Sequence, residues 1–202
     1  MLSRRTLLLS AVSTVTGLAG CTSSKVPVST DSETVPRPEL AYSASVIAPQ
    51  TESHPLTVEL SVTNSGDGAV FLSQQDGNPL QDLPAFDGSQ TQLKLFPVQS
   101  PPDQLSQDGS TEQLCWRVSS EEAEQSPALG QRPPVEIHSK KTHAVRHYVY
   151  QVGRNSPCFP VGSYQASVDL TAGNPRWNEV TPTLTYTLDI SAGGAKMSVT
   201  DT

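Results

Sequence analysis

The chain has 202 residues, with 13 Lys and Arg against 20 Asp and Glu, a formal charge of −7 and 35% hydrophobic residues. This length fits one domain of ordinary size, and the apolar fraction is too high for a chain disordered throughout. The acidic balance argues against a nucleic-acid partner, which needs clustered Lys and Arg, and against electrostatic attraction to anionic lipid.

The first element is an address. Thr6 to Leu18 is shorter than the roughly 20 apolar residues a membrane span needs, and Ser10, Ser13, Thr14 and Thr16 interrupt it. A basic start, a short apolar stretch and small residues before a cut site mark a signal peptide. Ser3-Arg4-Arg5-Thr6-Leu7-Leu8 resembles a twin-arginine export motif, which centres on Arg4 and Arg5. Leu18-Ala19-Gly20-Cys21 resembles a lipobox, where cleavage precedes a cysteine that carries lipid. In this order the two are similar to the leader of twin-arginine lipoproteins of the haloarchaeal type, which some bacteria also have. The resemblance covers the leader alone. It implies export in the folded state, removal of residues 1–20, and attachment to the membrane through lipid on Cys21, on the extracytoplasmic side. Two acyl chains hold a protein firmly. The mature chain then has 182 residues and, without Arg4 and Arg5, a formal charge of −9.

Residues 21–40 contain the anchor cysteine and a Ser/Thr/Pro-rich stretch, TSSKVPVSTDSETVPRPEL, with no apolar period. This reads as a linker that lifts the domain off the membrane. The folded domain is expected over residues 41–202.

Within it, alternation dominates. Leu56, Val58, Leu60 and Val62 alternate with Thr57, Glu59, Ser61 and Thr63, the period of a half-buried strand. Asn64-Ser65-Gly66-Asp67-Gly68 follows, then Val70-Phe71-Leu72, which together predict a hairpin. Short strands are predicted at Leu93–Leu95, at Cys115–Val118, at Val135–Ile137 and over Ala144–Gln151. Tyr164, Ala166, Val168 and Leu170 alternate cleanly, as do Leu184, Tyr186, Leu188 and Ile190. Met197 and Val199 predict an edge strand. Only Glu121 to Gln125 has a helical character. The two long connections, Pro97–Leu114 and Ser119–Pro134, read as solvated loops.

The pattern predicts an all-β fold, an antiparallel Ig-like β-sandwich of about 7–9 strands. A closed barrel is the alternative. LTVELSVTNSGDGAVFL, then CWRV, then PVGSYQASVDL resemble the BsuPI-type proteinase-inhibitor domain, over Leu56 to Leu170. That resemblance implies a small β-sandwich. CFPVGSYQA is also similar to a segment of uncharacterised haloarchaeal lipoproteins.

With Cys21 acylated, Cys115 and Cys158 remain as an even pair outside the cell, where disulfides persist. Their bridge is predicted, with a chain-entropy stabilisation of roughly 4 kcal/mol. Trp116 beside Cys115 is expected in the core.

Catalytic chemistry finds no foothold. There is no G-x-S-x-G elbow, no H-E-x-x-H and no C-x-x-C, and a bridge removes both cysteines as nucleophiles. His143 and His147 share a strand face, but four residues of strand span about 13 Å, too far for one zinc. His138 and His143 could face each other across the Ser139–Thr142 turn as two ligands without a third; the histidines are expected as exposed strand positions. Asp76-Gly77-Asn78 reads as a tight turn rather than a calcium loop. No catalytic residue, metal or cofactor is expected. The best binding candidates are Arg176 and Trp177, in the loop Gly173–Asn178, because Trp beside Arg is enriched at interface hot spots. The reading is a non-catalytic, membrane-anchored binding or structural module whose partner is an envelope protein. The alternatives are a proteinase-inhibitor-like domain, a metal-dependent solute binder or an envelope enzyme.

Overall fold

The computed structural model describes residues 38–74, 77–102, 106–108, 115–124, 133–153, 158–174 and 177–202. The leader with Arg4, Arg5 and Cys21, and the linker up to Arg37, lie outside the described residues.

The alternating segments are strands, and their apolar sides face one interior. β1 is Leu40–Ala48, β2 Thr57–Asn64, β3 Val70–Gln74, β4 Phe86–Asp87, β5 Gln92–Pro97, β6 Ser106–Asp108 and β7 Cys115–Val118. A short helix α1, Ser120–Glu124, precedes β8 (Val135–Ile137), β9 (Thr142–Val152), β10 (Gly162–Asn174), β11 (Trp177–Val180), β12 (Thr183–Ser191) and β13 (Gly194–Asp201). Val58, Leu60 and Val62 of β2 are fully buried, as are Leu184 and Leu188 of β12. The described fold is therefore all-β and antiparallel in nearly every pairing, as the alternation predicts. One pairing departs: β7 joins β9 in parallel through Arg117 and Val118.

Thirteen strands are present among the described residues. Nine coincide with the segments that the sequence singles out. β1, β4, β6 and β11 are additional. β4, β6 and β11 have two to four residues, too few to carry a period. β1 does alternate, with Leu40, Tyr42, Ala44 and Val46 turned inward, but small Ala and Ser residues between them blunt the signal.

One hydrogen-bonded path runs β1-β2-β9-β5-β4-β10-β12-β13. β10 belongs to two sheets. Its first part, Gly162–Asp169, pairs with β12, and its last part, Leu170–Gly173, pairs with β3. β8 adds to β3, and β11 to β10, completing the second sheet. The path ends at β1 and β13, whose Cα atoms come within 8 Å of each other. The strands thus wrap almost fully around one core.

The predicted hairpin over Asn64–Gly68 is a crossover instead. β2 pairs with β1 and β9, while β3 pairs with β10 and β8 in the second sheet. Asn64 explains the change of sheet. Its fully buried amide donates to Gly68 O at 2.7 Å and Ile137 O at 3.0 Å, and Oδ1 accepts from Gly66 N at 3.0 Å. The turn is bonded to the end of β8 rather than folded back on β2. β8 and β9 likewise lie in different sheets, so Ser139–Thr142 is not a hairpin turn.

A second apolar cluster lies outside the main core. Trp116, Val118 and Tyr150 pack with Phe96, Tyr148, Val152 and Ala123 of α1. Both sides of the last part of β9 are therefore covered, Tyr148 and Tyr150 against this cluster and Val149 against the core. The ring of Tyr150 meets Phe96 edge-on at 5.7 Å. Ser119 caps α1 by accepting from Glu122 N at 3.1 Å, the start of a capping box.

Candidate functional site

The predicted residues fall in three places. Cys115 and Cys158 form the expected disulfide, with Cα atoms 5.3 Å apart. The bridge ties β7 to the segment entering β10. Gln151, fully buried on β9, reinforces the junction: its Oε1 accepts from Phe159 N at 2.8 Å. Tyr164 O–H donates to Pro160 O at 2.7 Å. Trp116 is buried as expected, and its indole N–H donates to Thr51 O at 3.1 Å. This region is built as a clamp.

The histidines are not brought together. His147 is fully buried, not exposed as the sequence reading has it. It sits opposite Val58 on β2 and Pro97 on β5. Inward alternation along β9 forces this, because Val145 and Val149 share its side. Burial pushes its imidazole down to about 4; backbone groups of Gln81, Val145 and Leu80 oppose the shift. Those groups face the ring, yet neither ring nitrogen has a partner at hydrogen-bond geometry. His143 is lowered too, again by burial. His138 lies 3.5 Å from a Glu136 oxygen on the surface. Among the described residues no three His, Cys, Asp or Glu side chains are placed to hold one metal ion.

A concave feature lies at the seam between β1 and β13. A groove of about 270 Å³ is lined by Pro38, Leu40 and Tyr42, by Val180, Thr181 and Pro182, and by Asp201. Each comes from a strand end: the start of β1, the turn between β11 and β12, and the end of β13. Pro182 O accepts from Leu170 N at 3.1 Å, which fixes the turn against β10. Burial raises the Tyr42 phenol to about 12, and the Asp201 carboxylate adds to the rise. Burial likewise raises Tyr186, with Tyr42 contributing. A carboxylate, a phenol and apolar walls can hold a cationic or hydrogen-bonding group.

Trp177 begins β11, pairs with Asn174 and leads directly into the groove turn. Its side chain and the whole of Arg176 lie outside the described residues. The groove itself escapes sequence reading, since its walls come from positions as distant as Pro38 and Asp201. Among the described residues no helix is long and apolar enough to cross a membrane. No protein-family model, curated protein or solved structure matches the chain.

Proposed function

We propose that this chain is a lipid-anchored module on the extracytoplasmic side of the cell membrane, which binds an envelope protein and performs no catalysis. The observation that carries the reading is the open seam of an otherwise continuous sheet, with a groove at one end. The bridge between Cys115 and Cys158 agrees with it, because it uses the two cysteines that remain once Cys21 takes lipid. Disulfides persist outside the reducing cytosol.

The test is made in native membranes. Cross-linking of the lipidated chain, followed by mass spectrometry, is expected to capture a specific envelope protein. Cys21→Ala is expected to release the chain into the soluble fraction. Retention of Cys21→Ala in the membrane would remove the anchor, and the absence of any cross-linked protein would remove the binding role. A protease panel tests the inhibitor-like alternative separately; inhibition at equimolar domain would favour it.

A further inference from the structure

β1 and β13 each carry one strand edge that pairs with no described strand. The edges run side by side within 8 Å, yet no ladder joins them. Such an edge is a template for another extended chain. The side chains behind it are incompletely covered. Leu40, Tyr42, Ala44 and Val46 on β1, and Ala195 and Val199 on β13, are only partly buried, whereas the inward residues of β2 are fully buried. At the groove, Asp201 forms no ion pair among the described residues. The chain as a whole is acidic, at −7, which favours approach of a basic partner.

We infer that the seam binds an extended segment of the partner protein in which one Lys or Arg stands among alternating apolar residues. The segment adds to the free edge of β1, its apolar side chains cover Leu40, Tyr42 and Val46, and its cation meets Asp201 in the groove. A segment paired with β1 stands about 4.7–4.9 Å from it, so its entry moves β13 aside; no ladder joins β1 to β13, so that movement breaks no strand pairing between them. This rests on the binding-module reading and names its partner's chemistry.

The test uses the full chain in detergent and a fluorescent peptide of alternating Val and Thr with one central Arg, beside the same peptide with Glu instead. The Arg peptide is expected to bind, to slow hydrogen exchange along β1, and to bind more weakly as salt rises. Asp201→Asn is expected to weaken it about fivefold; Asp201 is exposed, so this change leaves the core untouched. Three results would overturn the inference: no binding of the Arg peptide, equal binding of the Glu peptide, or affinity unchanged in Asp201→Asn. Binding that appears only in Arg37→Ala would assign the groove to the chain's own linker and overturn it as well. If membranes still yield a cross-linked partner in any of these cases, the binding role stands and this surface alone is wrong.

Discussion

The imidazole of His147 lies against the backbone of Leu80, a residue held in the left-handed region at φ 62°. A Leu there costs roughly 1–2 kcal/mol. The loop around it accounts for the conformation. Asn78 N donates to Asp82 Oδ2 at 2.6 Å, and Gln81 N and Asp82 N both donate to Asn78 O. Lys94 Nζ donates to Leu83 O at 2.7 Å, and Gln74 Nε2 to Asp82 O at 2.7 Å. This network turns Leu80 and Leu83 into the core, where burial of each side chain contributes about 1.5–3 kcal/mol and offsets the strain. The loop is a plug, and its backbone faces the His147 ring beneath it.

Stability is therefore expected to fall with acid. Burial depresses the His147 imidazole to about 4 from its ordinary 6.5, so the unfolded chain binds its proton first. The stabilisation is complete above 6.5 and is lost as pH falls from there toward 4. By pH 4.5 the loss is about 2.5 kcal/mol. Urea unfolding of wild type and His147→Phe at pH 7 and pH 4.5 checks this: the variant should lose less on acidification. Equal losses in both would show that the histidine does not titrate against the plug.

Asn64 holds the crossover between the sheets through three hydrogen bonds. Asn64→Ala leaves the carbonyls of Gly68 and Ile137 and the Gly66 N–H without this partner, at a cost of about 2–4 kcal/mol. Differential scanning calorimetry should show the midpoint lowered by roughly 5–12 °C for a domain of this size. An unchanged midpoint would mean that the crossover is held by Ser139, whose hydroxyl donates to Gly66 O at 2.8 Å.

The two residues also mark the limit of what the sequence makes legible. Period-two alternation is local, so it correctly places Val58, Leu60, Tyr164, Tyr186 and Leu188 inside. It says nothing of which strand lies beside which. Val70–Leu72 is recognisable as a strand, yet its partners are Ala172 and Gly173 on β10 and Val135–Ile137 on β8 rather than β2. The same limit hides the plug, because Gly77–Leu83 has turn residues and no period, and its anchors are His147 and Lys94. An alternating histidine on β9 looks like a wet polar position until β5 and the plug close over it. The disulfide is legible for a different reason: once the expected lipidation sets Cys21 aside, Cys115 and Cys158 are the one pair left. The groove was not readable, since it exists only where the two ends of the sheet meet.

Gly88 tests the packing at the narrow start of β10. A Cβ there would overlap the Tyr164 ring and stand 3.0 Å from Thr91 O. Tyr164 is buried and its hydroxyl is bonded to Pro160 O, so the ring has no free direction in which to yield. Gly88→Ala is expected to cost about 1–3 kcal/mol through overpacking, read as a lower urea midpoint. Gly193→Ala is the control, because the nearest atom to its added Cβ is the Ser191 hydroxyl oxygen at 3.9 Å, and it should unfold close to wild type.

The bridge between Cys115 and Cys158 encloses a sequence separation of 43 residues. In the chain-entropy account, closing such a loop in the unfolded state contributes roughly 4 kcal/mol. Cys115 is only 1% exposed, so its sulfur is shielded by the fold as well as by the bond. Alkylation of the purified chain should therefore find neither residue modified without reductant, even in denaturant. After reduction in denaturant, both should react. The double variant Cys115→Ser, Cys158→Ser should unfold at lower urea by an amount close to the loop estimate. A smaller loss would point to Gln151, whose side chain accepts from Phe159 N and holds the same junction without the bond. Adding Gln151→Ala to the double variant separates the two: a further large drop would assign the clamp to the amide. Equal thiol reactivity with and without reductant would instead remove the bridge, and with it the argument that this domain matures in an oxidising compartment.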